Sequence, residues 1–204
     1  REYLESKNIL LKFTSGSTGL PLEVFKSQED NRRDYVMLNY YRMKWTTYDF
    51  SGKFLWIWPT NPLTRKMLWG EKENDRFIQI NNYGYQYMLY EFSDSNFREI
   101  YKYIKTYNIE WISCAPYALS LFAMYIRANN LEINTIQYIE CHSEALDEWE
   151  RKILLDVFGV NPVSIYSSNE VQFMAVKEED NMQLLNKGTF LEFIPCRRGI
   201  DEII

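Results

Sequence analysis

Apolar and polar positions change period along this chain, and each change marks an element. Ile9–Phe13 is a short apolar run of strand type, stopped by a tract of Ser, Thr and Gly. After Pro21, residues 22–25 predict a second strand, so the pair forms a hairpin around a long polar loop. Ser27 then offers a capping oxygen with Asp30 three positions on. The helix it starts carries Tyr35, Leu38, Tyr41 and Trp45. Residues 54–58 predict a buried strand ended by Pro59, residues 77–80 a short one, and residues 62–72 fit neither period. From there helices and strands alternate. Asp94–Tyr107 is a helix with Phe97, Ile100, Tyr101 and Ile104 on one stripe, and Trp111–Cys114 a strand. Pro116–Ala128 is a helix with proline at its permitted first turn, followed by a strand over 136–140. A helix over 146–158 is closed by Gly159, and Val163–Tyr166 is again a strand. Strand and helix alternating through short connections predict an α/β fold: a hairpin, then a doubly wound, mostly parallel sheet with helices on both faces. No internal repeat or linker divides residues 1–204, so a single domain is expected.

Composition narrows the function classes. The 204 residues suffice for a substantial core. With 23 basic against 28 acidic residues, the net charge of −5 argues against a nucleic-acid-binding surface. A hydrophobic share of 46% excludes a disordered chain, and eight Gly with six Pro exclude a loop-dominated scaffold. Cys114, Cys141 and Cys196 are too widely spaced for a disulfide framework or a zinc knuckle. The longest nearly apolar stretch, 118–126, is too short to cross a bilayer, and no basic segment with an apolar core opens the chain. A cytoplasmic protein without membrane insertion is expected. The chain opens without Met in a charged segment and closes on Ile203 and Ile204, which reads as a piece of a longer protein.

The tract Thr14-Ser15-Gly16-Ser17-Thr18-Gly19-Leu20-Pro21 holds the most chemistry. Four hydroxyls and two glycines place many donors on a backbone free to turn back on itself, an arrangement that can wrap a polyphosphate. A plain solvated hairpin loop has the same composition. The Lys of a Walker loop is missing, and the dinucleotide glycine spacing fails.

This tract resembles the phosphate loop of the adenylate-forming enzymes: acyl-CoA synthetases, non-ribosomal adenylation domains and luciferases. Two further segments follow in that superfamily's order. Residues 138–146, with Glu140, Cys141, His142, Ser143, Glu144 and Ala145, resemble its strand and turn beside the adenine. Residues 164–170, Ser-Ile-Tyr-Ser-Ser-Asn-Glu, resemble its aromatic-Gly-x-[ST]-Glu segment. The compact spacing is most similar to the phenylacetate–CoA ligase branch, which includes relatives assigned to capsular polysaccharide biosynthesis.

What the resemblance implies is a two-step ligase. A carboxylate attacks the α-phosphorus of Mg-ATP, giving an acyl-adenylate and pyrophosphate, and a thiol such as CoA or a carrier protein then takes the acyl group. Thr14, Ser15, Ser17 and Thr18 would hold the phosphates while Gly16 and Gly19 let the backbone close. Glu170 would hold Mg²⁺ as a hard oxygen ligand, and Glu170 with Thr18 would be the catalytic pair. Tyr166 would stack on adenine beside Ser167 and Ser168, and Ser143, Glu144 and Ala145 would shape the adenine pocket. Tyr83, Tyr85, Pro116, Tyr117 and His142 are the acyl-pocket candidates, each with ordinary packing as the competing reading. Residues 177–185 hold neither Cys nor His, so no zinc is expected. The resemblance covers part of the family's large domain, without its ribose-binding Asp, hinge and small C-terminal domain, so this piece alone is expected not to turn over. Self-association is left open.

Leu22 stands where many members carry Lys, Ser167 where Gly is usual, and Asn169 where Ser or Thr is usual. These departures motivate an alternative: a non-catalytic binding domain that keeps the fold. A third reading, an unrelated nucleotide-binding α/β domain, has the Ser/Thr/Gly tract enter a helix directly instead of joining two strands. Glu71, Glu73 and Asp75 among basic neighbours read as a solvated loop, Glu178, Glu179 and Asp180 as a surface turn, and residues 98–105 as a helix with one wet face.

Overall fold

The computed structural model describes residues 8–13, 23–60, 76–168, 173–178, 181–184, 193–195 and 201–203. The chain divides into two compact units, 1–34 with 166–204, and 35–165.

In the first unit β1 (Ile9–Phe13) pairs antiparallel with β2 (Glu23–Ser27), from Ile9 opposite Ser27 to Phe13 opposite Glu23. The Ser/Thr/Gly tract therefore joins two strands, as the resemblance requires and the third reading does not. Of the expected second strand, residue 22 lies outside the described residues, and β2 runs on to Ser27. Ser27 then starts α1 (Gln28–Trp45), its hydroxyl accepting from the Asp30 N–H at 3.0 Å and donating to the Asp30 carboxylate at 2.7 Å. Lys26 pairs with Asp34 and Lys12 donates to Asn31, so both strands are tied to the first turns of α1. The unit also holds two hairpins beyond the elements expected from the sequence: β9 (Ala175–Glu178) with β10 (Asn181–Leu184), and β11 (Phe193–Pro195) with β12 (Asp201–Ile203).

The second unit is built on a sheet. Its strands are β3 (Phe54–Pro59), β4 (Phe77–Gln79), β5 (Gly84–Leu89), β6 (Trp111–Cys114), β7 (Tyr138–Cys141) and β8 (Val163–Tyr166). They lie in the order β4-β5-β3-β6-β7-β8, all parallel except β4. The helices between them are α2 (Asp94–Tyr107), α3 (Pro116–Ala128) and α4 (Glu148–Phe158). Capping sets their limits. α2 ends on Asn108 in the left-handed conformation, α3 opens on Pro116, and α4 starts in an Asp147–Glu150 capping box and closes on Gly159 at φ +70°. The strand Gly84–Leu89 lies within the aromatic tract 83–92. Its alternate Tyr85 and Tyr87 are buried in the core.

Strand alternation separates the two faces of the sheet. Leu55, Ile57, Tyr85, Tyr87, Ile112, Cys114, Ile139 and Cys141 point to the face covered by α2, α3 and α4, where they form the main apolar core. Trp56, Trp58, Trp111, Ser113, Tyr138 and Glu140 share the other face. Arg42 from the second half of α1 reaches Glu140 there.

Candidate functional site

Parallel α/β sheets bind ligands beyond the carboxyl ends of their strands, where the strand order reverses. Here the chain leaves β3 outward to β5, then returns across β3 to β6 and continues to β8. The reversal lies at β3 and β6. What borders it is a set of residues brought together on the Trp56 face.

Trp56 and Trp58 stack with ring centroids 5.0 Å apart and planes 14° apart. His142 follows β7, its N–H donating to the Cys114 carbonyl at 3.2 Å, which holds it beside the end of β6. The imidazole meets Trp56 edge to face at 6.3 Å. Its Nδ1 lies 2.8 Å from the Ser143 hydroxyl, while Nε2 is buried without a hydrogen-bond partner, as is the Trp56 indole N–H. Burial pushes His142 below its ordinary value, with Glu140 opposing and Arg42 adding to the shift, so the ring is neutral at pH 7. Ser143 is held at φ +75°, a conformation that strains any residue with a side chain.

Beneath His142 lies a buried ion pair. Arg42 donates from Nε and Nη2 to the two Glu140 oxygens at 2.7 and 2.6 Å. Ser113 and Tyr138 hydroxyls approach the same carboxylate at 3.5 and 3.4 Å. The guanidinium lies 5.0 Å from the Trp111 ring and 5.9 Å from Phe50. Burial alone lowers the Arg42 pKa, but the charge and hydrogen bonds of Glu140 outweigh it and leave it raised. This cation is committed to structure. On the opposite face Cys114 and Cys141 are register partners, both buried, and burial raises both thiols, so neither is an activated nucleophile.

The residues singled out from sequence divide by position. Pro116, buried at the start of α3, and Tyr117, exposed and in edge contact with Phe92, lie at the carboxyl edge with His142 and the exposed turn Ser143, Glu144 and Ala145. Tyr83 and Tyr85 lie at the opposite, amino edge. Tyr85 pairs with Leu55, about 13 Å along the strand from the carboxyl end of β3 and about 7 Å from that of β6. Tyr85 is buried against Phe77 and Tyr107, whereas Tyr83 is exposed. The structure therefore does not bring these two tyrosines to the His142 edge. Tyr166 closes β8 with 45% of its surface exposed, so it is no core aromatic, and Ser167 and Ser168 follow it half-buried. Thr14, Ser15, Gly16, Ser17, Thr18, Gly19, Leu22, Asn169 and Glu170 lie outside the described residues, as do Cys196 and the acidic run at 71–75. Among the described residues, no three His, Cys, Asp or Glu side chains group as a metal site, and no helix is long and apolar enough to cross a membrane.

Sequence reading missed Arg42, Trp56 and Trp58 as neighbours of this edge, and named Glu140 without its ion-pair partner. A signal was present: Glu140 is a charged residue inside an apolar strand, and two tryptophans alternate on β3.

No family model matches the chain, and no curated protein matches it in sequence. Solved structures match it in fold. A long-chain-fatty-acid-CoA ligase from Archaeoglobus fulgidus superposes with TM-score 0.60 at 13% identity, over 95% of this chain and 39% of its own. An acyl-CoA synthetase (AMP-forming)/AMP-acid ligase II-like protein from Dyadobacter fermentans gives 0.56 at 12% identity, over 99% of this chain and 54% of its own. The anthranilate CoA ligase AuaEII, solved with anthranoyl-AMP, gives 0.59 at 12% identity, over 96% of this chain and 37% of its own. This chain thus spans between a third and just over half of each, and nearly all of it has the fold those ligases share.

Proposed function

We propose that the chain is part of an enzyme that activates a carboxylic acid with ATP as an acyl-adenylate and passes the acyl group to a thiol, with CoA or a carrier protein as acceptor. One observation carries this reading: a fold shared with AMP-forming and CoA ligases over nearly the whole chain, with a Ser/Thr/Gly tract in the sequence between β1 and β2. In this assignment Thr14, Ser15, Ser17 and Thr18 bind the phosphates of Mg-ATP, and Gly16 and Gly19 allow close backbone approach. Glu170 holds the magnesium that enters with ATP. Tyr166 offers an exposed ring to adenine, with Ser167 and Ser168 beside it, while Ser143, Glu144 and Ala145 line the base. Pro116, Tyr117 and His142 border the acyl group. Tyr83 and Tyr85 have no place in that wall because they sit at the other sheet edge. The phenylacetate–CoA ligase branch is the proposed kinship and the cytoplasm the proposed compartment.

The protein's part in the first step is electrostatic. Negative charge spreads over phosphate oxygens as the carboxylate attacks, and positioned hydroxyl and amide donors stabilise it without forming a covalent intermediate. The test is to supply α-labelled ATP and a panel of acids to a longer chain containing these residues. Acid-dependent label in an acyl-AMP mixed anhydride is expected, passing to AMP when a thiol is supplied. Label appearing only in ADP, or none that depends on an acid, overturns the reading and leaves a non-catalytic binding domain.

A further inference from the structure

We propose that the Trp56 indole N–H and His142 Nε2 form a subsite for a hydroxyl group carried on an aromatic carboxylic acid. The inference rests on the acid-activation reading and names the chemistry of the acid. Both atoms are buried, and among the described residues no group bonds to either. A buried polar atom without a partner has given up its hydration for nothing in return, and such atoms are rare in folded proteins. Six side-chain atoms of this kind occur among the described residues, and these two belong to rings in edge contact with centroids 6.3 Å apart, which points to a shared partner from outside the chain.

Three features say what that partner is. First, the place: the pair stands where the strand order reverses at β3 and β6, approached from the edge where Ser143, Glu144 and Ala145 are exposed. Second, the charge: the neighbouring Arg42 is held bidentate by Glu140, so it offers no free positive charge to an anionic group. Third, the hydrogen-bond pattern: Trp56 can only donate, while His142 Nε2 donates or accepts according to whether Nδ1 accepts from or donates to the Ser143 hydroxyl. A hydroxyl both accepts and donates, so it satisfies the pair in either tautomer, whereas an ether or a carboxylate does so only when Nε2 carries the proton. The stacked Trp56 and Trp58 indoles supply flat apolar surface, which suits a ring as the body bearing that hydroxyl.

The probes are three hydroxybenzoates, substituted at positions 2, 3 and 4, and the three methylbenzoates of matching shape. Affinity for the 204-residue chain is measured by calorimetry, and the Trp56 indole resonance, identified by its loss in Trp56→Phe, is followed by nitrogen-edited NMR. At least one hydroxyl acid should bind tenfold or more tighter than its methyl counterpart and shift the Trp56 indole proton, while the methyl acid does not. Trp56→Phe and His142→Phe should each reduce that preference below threefold. The inference fails if no pair differs by threefold, if no acid binds, or if the preference survives both variants. It also fails if the Trp56 proton contacts a resident water with and without acid. Adenylate formation, run separately, keeps the two readings apart. Equal kcat/KM for hydroxyl and methyl acids sinks the subsite alone, and hydroxyl-selective binding without any adenylate sinks the reaction alone.

Discussion

Arg42→Ala isolates the buried ion pair. Glu140 has 4% of its side chain exposed and Arg42 has 11%, so bulk water cannot replace the guanidinium. The substitution removes two charge-assisted hydrogen bonds of 2.7 and 2.6 Å and leaves the carboxylate only hydroxyls at 3.5 and 3.4 Å. Stranding one partner of a buried pair costs about 3–5 kcal/mol, and the lost packing over Trp111 adds about 0.5–1 kcal/mol. With a urea dependence of about 2 kcal/mol per molar, the unfolding midpoint should fall by roughly 2 M. The companion variant Arg42→Met with Glu140→Met removes both charges and keeps the volume. It should recover most of the loss or exceed the parent, because neither desolvation penalty remains. Urea melts followed by tryptophan fluorescence and by far-ultraviolet circular dichroism measure both. A loss below about 1 kcal/mol for Arg42→Ala, or a double variant no better than the single one, would refute the reasoning.

His142 is the sole histidine, so its ring protons report one titration. Burial lowers its pKa, and NMR should give a value below 6.5; a value at or above that removes the argument for a neutral ring. Because the unfolded ring takes up its proton first as pH falls, the folded state loses stability below about pH 6.5, by at most about 1.4 kcal/mol per pH unit. That slope should flatten in His142→Phe. Gly159→Ala meets no atom within 4 Å but sits at φ +70°, so its cost of about 1 kcal/mol is conformational and should appear as a small fall in melting temperature. Gly84→Ala would place a methyl 2.5 Å from the Phe54 ring, and a loss of about 1–3 kcal/mol in urea melts is expected.

Periodicity and punctuation made most of the second unit legible. Pro116, Asp147 and Gly159 fix helix ends through local backbone chemistry, which needs no tertiary information, and Trp111–Cys114 and Val163–Tyr166 fall where their apolar runs do. Gly84–Leu89 was harder because tyrosine is equally at home in a core, at an edge or in a pocket. Only pairing with β3 decides among them. The hairpins after residue 174 are built from strands of three or four residues, too short for a period to show, and their pairing comes from partners rather than pattern. The turn at Ser143 was legible through its neighbours in the sequence, whereas its contacts were not: Arg42 and Glu140 are 98 residues apart, and no local rule brings them together.

The central claim is a nucleotide site of the adenylate-forming kind, and calorimetry tests it most directly. Mg-ATP and then AMP would be titrated into the 204-residue chain, its Thr18→Ala variant and its Glu170→Ala variant. Saturable binding of both nucleotides is predicted, with Thr18→Ala weakening ATP far more than AMP and Glu170→Ala weakening the magnesium complex. No binding of either nucleotide, or binding that both variants leave unchanged, would contradict the claim.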